Sequence, residues 1–223
     1  MSTNPTSVNL STSAEIHLTR AYGFIHEVEI ATEDFRQSAM QYDAQVDADQ
    51  PFLQGIVSSV RGGRQLNNKK SSLINDLVLA GNEIESAARA DSNAVVETRE
   101  GVFGAKELRA LVQYMRGQLE LISGSNASAL LFFNNSLQLT ESPGAHYMLG
   151  LIYESEYKPT DALRHFERCL DLDPAGELSV PALREASAMR NYRKHFRGSW
   201  GVVLLFLVLF FPFAIVYFLI KWK

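Results

Sequence analysis

The chain has 223 residues, of which 46% are apolar and 21% charged, with a formal net charge of -4 at pH 7 and a single cysteine. That balance excludes a wholly disordered chain and gives no global attraction to nucleic acid. The lone cysteine excludes an internal disulfide framework and a multi-cysteine zinc site.

Met1 to Ser13 is rich in Ser, Thr and Asn and lacks both a basic residue and an apolar run. Neither a signal peptide nor a basic presequence is read there, and residues 1–12 are expected to be disordered. From Ser13 onward Leu18, Ala21, Ile25, Val28, Phe35 and Ala39 recur at steps of three, four or seven, as one face of a long helix requires. Thr12 and Glu15 form a capping-box pattern at its start, which predicts a helix from 13 to about 46. Asp49 and Pro51 are expected to open a short second helix that Gly62 and Gly63 close. A third, about 66 to 90, carries Leu73, Leu77, Ala80, Ile84 and Ala87. Residues 13–90 are therefore expected to form an N-terminal helical region.

The stretch 91–104 loses the apolar stripe and contains Asn93 and Gly101, so it is expected to be a linker. After it, Leu108, Leu111, Val112, Met115, Leu119 and Ile122 form another helical stripe, stopped by Ser123, Gly124, Ser125 and Asn126. Short helices and short turns alternate from there on. No strand pattern bounded by turn signals is visible, so the predicted fold class is all-α.

Residues 143–176 carry a spaced motif. With Pro143 as position 1 of a 34-residue unit, Leu149, Gly150, Tyr153, Ala162, Phe166 and Pro174 fall on positions 7, 8, 11, 20, 24 and 32, and Cys169 on position 27. In these positions the chain resembles the tetratricopeptide repeat family, whose helical hairpins need small residues at close approaches and bulky ones between the helices. His146 stands at position 4, where an aromatic is usual. Upstream, at an offset of 33, Ala129, Phe133 and Ser136 correspond to Ala162, Phe166 and Cys169; Gly117 is in place, but Arg116 and Glu120 stand where Leu and Tyr belong. The resemblance implies about two repeats, followed by a covering helix from Ser179 with Pro181 in its first turn. Residues 105–197 are thus expected to be a tetratricopeptide-like domain with a covering helix.

In relatives that grip a C-terminal carboxylate, Lys and Asn occupy first-helix positions that Tyr147 and Leu151 hold here. The resemblance therefore implies no such clamp, and leaves Tyr147, Leu151 and Glu154 as candidate partner-binding residues, or as residues that meet the N-terminal helices of the same chain. Nothing points to an active site. The five histidines, His17, His26, His146, His165 and His195, form no pair with metal-ligand spacing in sequence. The turn at 62–72 has Asn68 where a phosphate-binding loop needs glycine. No catalytic residue, metal, cofactor or small-molecule substrate is expected, and no nucleic acid.

The last element is membranous. Between Trp200 and Ile220 every residue but Gly201 and Pro212 is apolar and none is charged. As a helix this run is about 30 Å long, the thickness of the hydrocarbon core of a bilayer. Arg190, Arg193, Lys194 and Arg197 precede it and Lys221 and Lys223 follow it, so the positive-inside rule puts the N-terminal part in the cytosol. Residues 198–223 are therefore expected to be a transmembrane tail anchor, in the endoplasmic reticulum or a bacterial inner membrane. The expected function is a non-enzymatic, membrane-tethered adaptor that recruits or holds a protein partner. The alternative is a structural accessory subunit of a membrane complex.

Overall fold

A computed structural model describes the backbone of residues 5–46 and 52–191, and the side chains of 13–41 and 63–191. The calls on residues 1–4, on Asp49 and Pro51, and on the apolar run 200–220 lie outside the described residues. Internal contacts divide the chain into two compact units, Met1–Ala145 and His146–Lys223. The chain is mostly helical, and among the described residues no helix is long and apolar enough to cross a membrane.

The first unit is built on two long helices, α1 (Pro5–Val46) and α2 (Phe52–Ala90). They run antiparallel: His17 of α1 meets Glu83 of α2 at 2.5 Å, whereas Asp34 further along α1 meets Lys69 nearer the start of α2. Leu18, Ala21, Ile25, Val28 and Phe35 are buried, together with Ala14, against Leu73, Leu77, Ala80, Ile84 and Ala87, as periodicity expects, whereas Ala39 of the expected stripe is only half-buried. Thr32 interrupts the first stripe and is tolerated because its Oγ1 donates to the Val28 carbonyl at 2.7 Å. Three sequence expectations give way here. Residues 5–12, expected to be disordered, are helical. Helix α1 begins at Pro5, whose fixed φ suits a first helical position, so Thr12 lies inside the helix rather than capping it. Gly62 and Gly63 are interior to α2, because glycine permits a helix stop without imposing one.

Residues 91–104, expected as a linker, contain a β-hairpin. Strand β1 (Val95–Glu97) pairs antiparallel with β2 (Val102–Gly104), with Val96 opposite Phe103. Gly101, at φ +147°, turns the chain between them, and the Thr98 N–H donates to its carbonyl at 2.8 Å. Val96 is buried and Phe103 packs on the core, so each strand has an anchor. Helix α3 (Ala105–Ile122) follows directly, with the Gly104 N–H donating to the Glu107 carboxylate at its start. Leu108, Val112, Met115 and Leu119 complete the core. The Lys70–Glu120 ion pair, at 2.8 Å and mostly shielded from solvent, ties α2 to α3. Helix α4 (Asn126–Leu139) returns along α3, buries Ala129, Phe133 and Ser136, and is fixed by the Ser136 hydroxyl donating to the Ala110 carbonyl.

Helix α5 (Pro143–Ser155) crosses the boundary between the units. In the second unit it pairs with α6 (Pro159–Leu172), and a further helix, α7, covers residues 179–191 with Pro181 in its first turn. Ala182, Ala186 and Met189 recur at helical spacing on α7 and are buried.

Candidate interaction surface

The α3/α4 and α5/α6 hairpins are built on one pattern at an offset of 33 residues. In the first, a Cβ placed on Gly117 falls 2.7 Å from the Phe133 ring; in the second, one placed on Gly150 falls 2.5 Å from the Phe166 ring. Each glycine is therefore where it is because an aromatic edge occupies the space of a side chain. A tyrosine flanks each ring at nearly the same geometry: Tyr114 and Phe133 have centroids 5.6 Å apart at 54°, Tyr147 and Phe166 5.8 Å apart at 56°. The helix ends match as well. The Ser125 N–H reaches back to the Glu120 carbonyl around Gly124, and the Lys158 N–H to the Tyr153 carbonyl around Tyr157, both central residues having positive φ.

The residues named from the repeat motif take several roles. Leu149, Gly150, Ala162, Phe166 and Cys169 are buried. Burial pushes the Cys169 thiol up, with Asp173 acting in the same direction, which disfavours a reactive thiolate. Tyr153 is only half-buried: its ring stacks on His165 at 5.4 Å and 16°, with the Lys158 ammonium over it. Pro174 lies just beyond the end of α6 and is exposed.

Of the three candidate partner-binding residues, Tyr147 and Leu151 pack on the cluster of Ala162, Leu163, Phe166, Ala186 and Met189. Helix α7 thus supplies intramolecular cover for the α5 face. Glu154, half-buried beside them, has its carboxyl raised above the usual range by burial and then by the charge of Glu185, against the opposing effect of Arg184. Arg184 itself donates through Nε and Nη2 to Glu185 at 2.9 and 2.7 Å. What α5 and α7 present is therefore a partly covered tyrosine and leucine edged by a carboxylate pair and a guanidinium. Val180 and Leu183 of α7, four residues and one residue before Arg184, are exposed. Among the membrane-flanking residues, Arg190 is engaged in the fold, bonding Glu167 at 2.7 Å. Arg193, Lys194 and Arg197 lie outside the described residues.

Two arrangements escape sequence spacing. His146 and His165, on α5 and α6, face each other with their Nδ1 atoms 2.9 Å apart. Such a contact needs a neutral ring as acceptor, and it accompanies a lowering of the His165 pKa to about 4, caused by burial first and by His146 second. In the first unit, donor atoms of His26, Glu29 and Glu100 converge within 4.8 Å of one another. The only sequence trace of this set is the His-x-x-Glu spacing on α1, since the third member comes from the hairpin turn. The chain matches no model of a known protein family and no curated protein.

Proposed function

We propose that this protein is a non-enzymatic, membrane-tethered adaptor, anchored through residues 200–220, that holds a protein partner with a cytosolic, tetratricopeptide-like domain. The observation that carries the tether is the uncharged apolar run of 21 residues from Trp200 to Ile220. Support for the repeat reading comes from the glycine–aromatic contacts and ring pairs that recur 33 residues apart in the two hairpins. Tethering confines the domain near the bilayer and raises the local concentration of whatever it meets there, so a small surface of modest affinity suffices. The α5/α7 face, with Tyr147, Leu151 and Glu154 edged by Arg184 and Glu185, is the surface assigned to the partner.

The test is proximity labelling from the N-terminus of the full chain in intact cells, compared with a variant lacking residues 198–223, followed by gentle detergent extraction and sizing. The expected result is a small set of cytosol-facing proteins enriched only when the anchor is present, and a monomer that loses them on washing. A stoichiometric complex that survives washing overturns the adaptor reading and supports an accessory subunit of a membrane assembly. Unchanged membrane association of the truncated variant after alkaline carbonate overturns the assignment of the anchor.

A further inference from the structure

In the first unit, Tyr22, His26 and Glu29 lie four and three residues apart on α1 and so share one helical face. The turn of the β-hairpin is held against that face. The Tyr22 ring stacks on Phe103 at 5.8 Å and on His26 at 6.0 Å, and its hydroxyl hydrogen-bonds with the side chains of Thr98 and Glu100. Tyr22 therefore orients an imidazole on one side and a carboxylate on the other. Beside them opens a depression of about 550 Å³ whose wall includes Tyr22, His26, Thr98 and Glu100.

We propose that His26, Glu29 and Glu100 bind a divalent transition-metal ion of the zinc class, joining α1 to the hairpin turn. With bonds of about 2.0–2.2 Å, tetrahedral ligands lie roughly 3.3–3.5 Å apart. The edge from His26 Nδ1 to Glu29 Oε2 is 3.6 Å, already close to that value. The widest separation, within 4.8 Å, closes by rotation of solvent-exposed carboxylates, at little cost because neither is packed in the core. The depression leaves room for water to complete the coordination. Two carboxylates and a neutral imidazole carry two negative charges, matching a divalent cation. The imidazole nitrogen sets the preference, since Mg²⁺ and Ca²⁺ favour all-oxygen sets. Tyr22 is a positioning residue here: it stacks on His26 and ties the hairpin turn to α1 through its hydrogen bond with Glu100, so that small side-chain rotations complete the ligand set. Arg99 also lines the depression.

The experiment is calorimetric titration of Zn²⁺, and separately Mg²⁺, into the detergent-solubilised full chain, with hydrogen exchange of residues 95–104 read in the absence and presence of Zn²⁺. Expected are binding of one Zn²⁺ per chain, slower exchange in the hairpin, at least tenfold weaker binding for Glu100→Gln and for His26→Gln, and no comparable binding of Mg²⁺. Glu27→Gln, which changes an exposed carboxylate of α1 outside both the donor set and the depression, is expected to bind as the parent does. Zn²⁺ binding unaffected by both donor substitutions overturns the proposal, as does equal binding of Mg²⁺. An equal loss with Glu27→Gln shows diffuse acidic attraction and overturns it too, and hairpin amides indifferent to saturating Zn²⁺ have the same force.

Discussion

Replacing Gly150 by alanine tests the close approach on which the α5/α6 hairpin rests. The new Cβ meets three carbons of the Phe166 ring at 2.5, 2.7 and 2.8 Å. Ordinary carbon contacts are about 3.5–4.0 Å, so the shortfall is close to 1 Å on several atoms at once. Phe166 is fully buried and cannot swing aside. Overpacking of this kind costs roughly 1–3 kcal/mol, against about 1 kcal/mol gained from the better helix propensity of alanine. With the ring held on all sides the steric part is at least as large as the propensity gain, and a net loss of up to about 2 kcal/mol is expected. Gly81→Ala is the matched control, since a Cβ there meets nothing within 4 Å and only the propensity gain of about 0.5–1 kcal/mol remains. The assay is urea-dependent hydrogen exchange of the full chain, read in α5/α6 peptides for Gly150 and in α1/α2 peptides for Gly81. Peptide resolution is needed because two compact units do not have to unfold together. Phe166→Leu, which removes the offending ring edge, is expected to cost less in the Gly150→Ala background than alone. Stabilisation by Gly150→Ala equal to that by Gly81→Ala, or simple additivity with Phe166→Leu, refutes the packing argument.

Two further outcomes are expected in the second unit. Tyr157 has φ +58° and is 86% exposed, at the place where the first hairpin has Gly124, so Tyr157→Gly removes a left-handed strain of about 1 kcal/mol while forfeiting little contact; exchange of α5/α6 peptides should slow by a few-fold, and faster exchange contradicts the assignment. His165 binds its proton less readily folded than unfolded, its pKa falling from 6.5 to about 4, so the unit is stabilised above pH 6.5 and loses that contribution as pH falls toward 4. Asp161 opposes the shift, while His146 and Arg164 reinforce it. Urea midpoints between pH 7 and pH 4 should decline more steeply for the parent than for His165→Gln, and parallel profiles count against the paired-histidine geometry.

The parts of the fold legible in the sequence are those whose signal repeats along one element. Leu18, Ala21, Ile25 and Val28 announce a buried face because every helical turn adds a residue to it, and the same holds for Leu73 through Ala87. The hairpin is illegible for the opposite reason. Three-residue strands have room for only about one inward side chain each, and Val96 and Phe103 show no period when read singly. Glycine gives a further false stop at Gly62 and Gly63, since it permits a helix end without imposing one.

The candidate surface divides along the same line. Gly150 and Phe166 are found by spacing because the contact they make joins adjacent helices of one hairpin, where separation in sequence fixes separation in space. The resemblance makes Tyr147 a candidate for partner binding because carboxylate-gripping repeats use that first-helix position, with a contact to the N-terminal helices as the alternative. Comparing the chain with itself gives a different answer, since Tyr114 stands 33 residues earlier and makes the same tilted contact with its own phenylalanine. A residue that recurs with the same partner in both hairpins is first a packing residue, and whatever recognition it contributes is limited to the edge that α7 leaves open. On the proposed partner-binding reading, selectivity on the α5/α7 face comes from what the two hairpins do not share. Arg184 and Glu185 belong to α7, and Glu154 stands where the first hairpin has Leu121. These charged groups, rather than the aromatic beneath them, are where a partner would be distinguished from any other apolar surface.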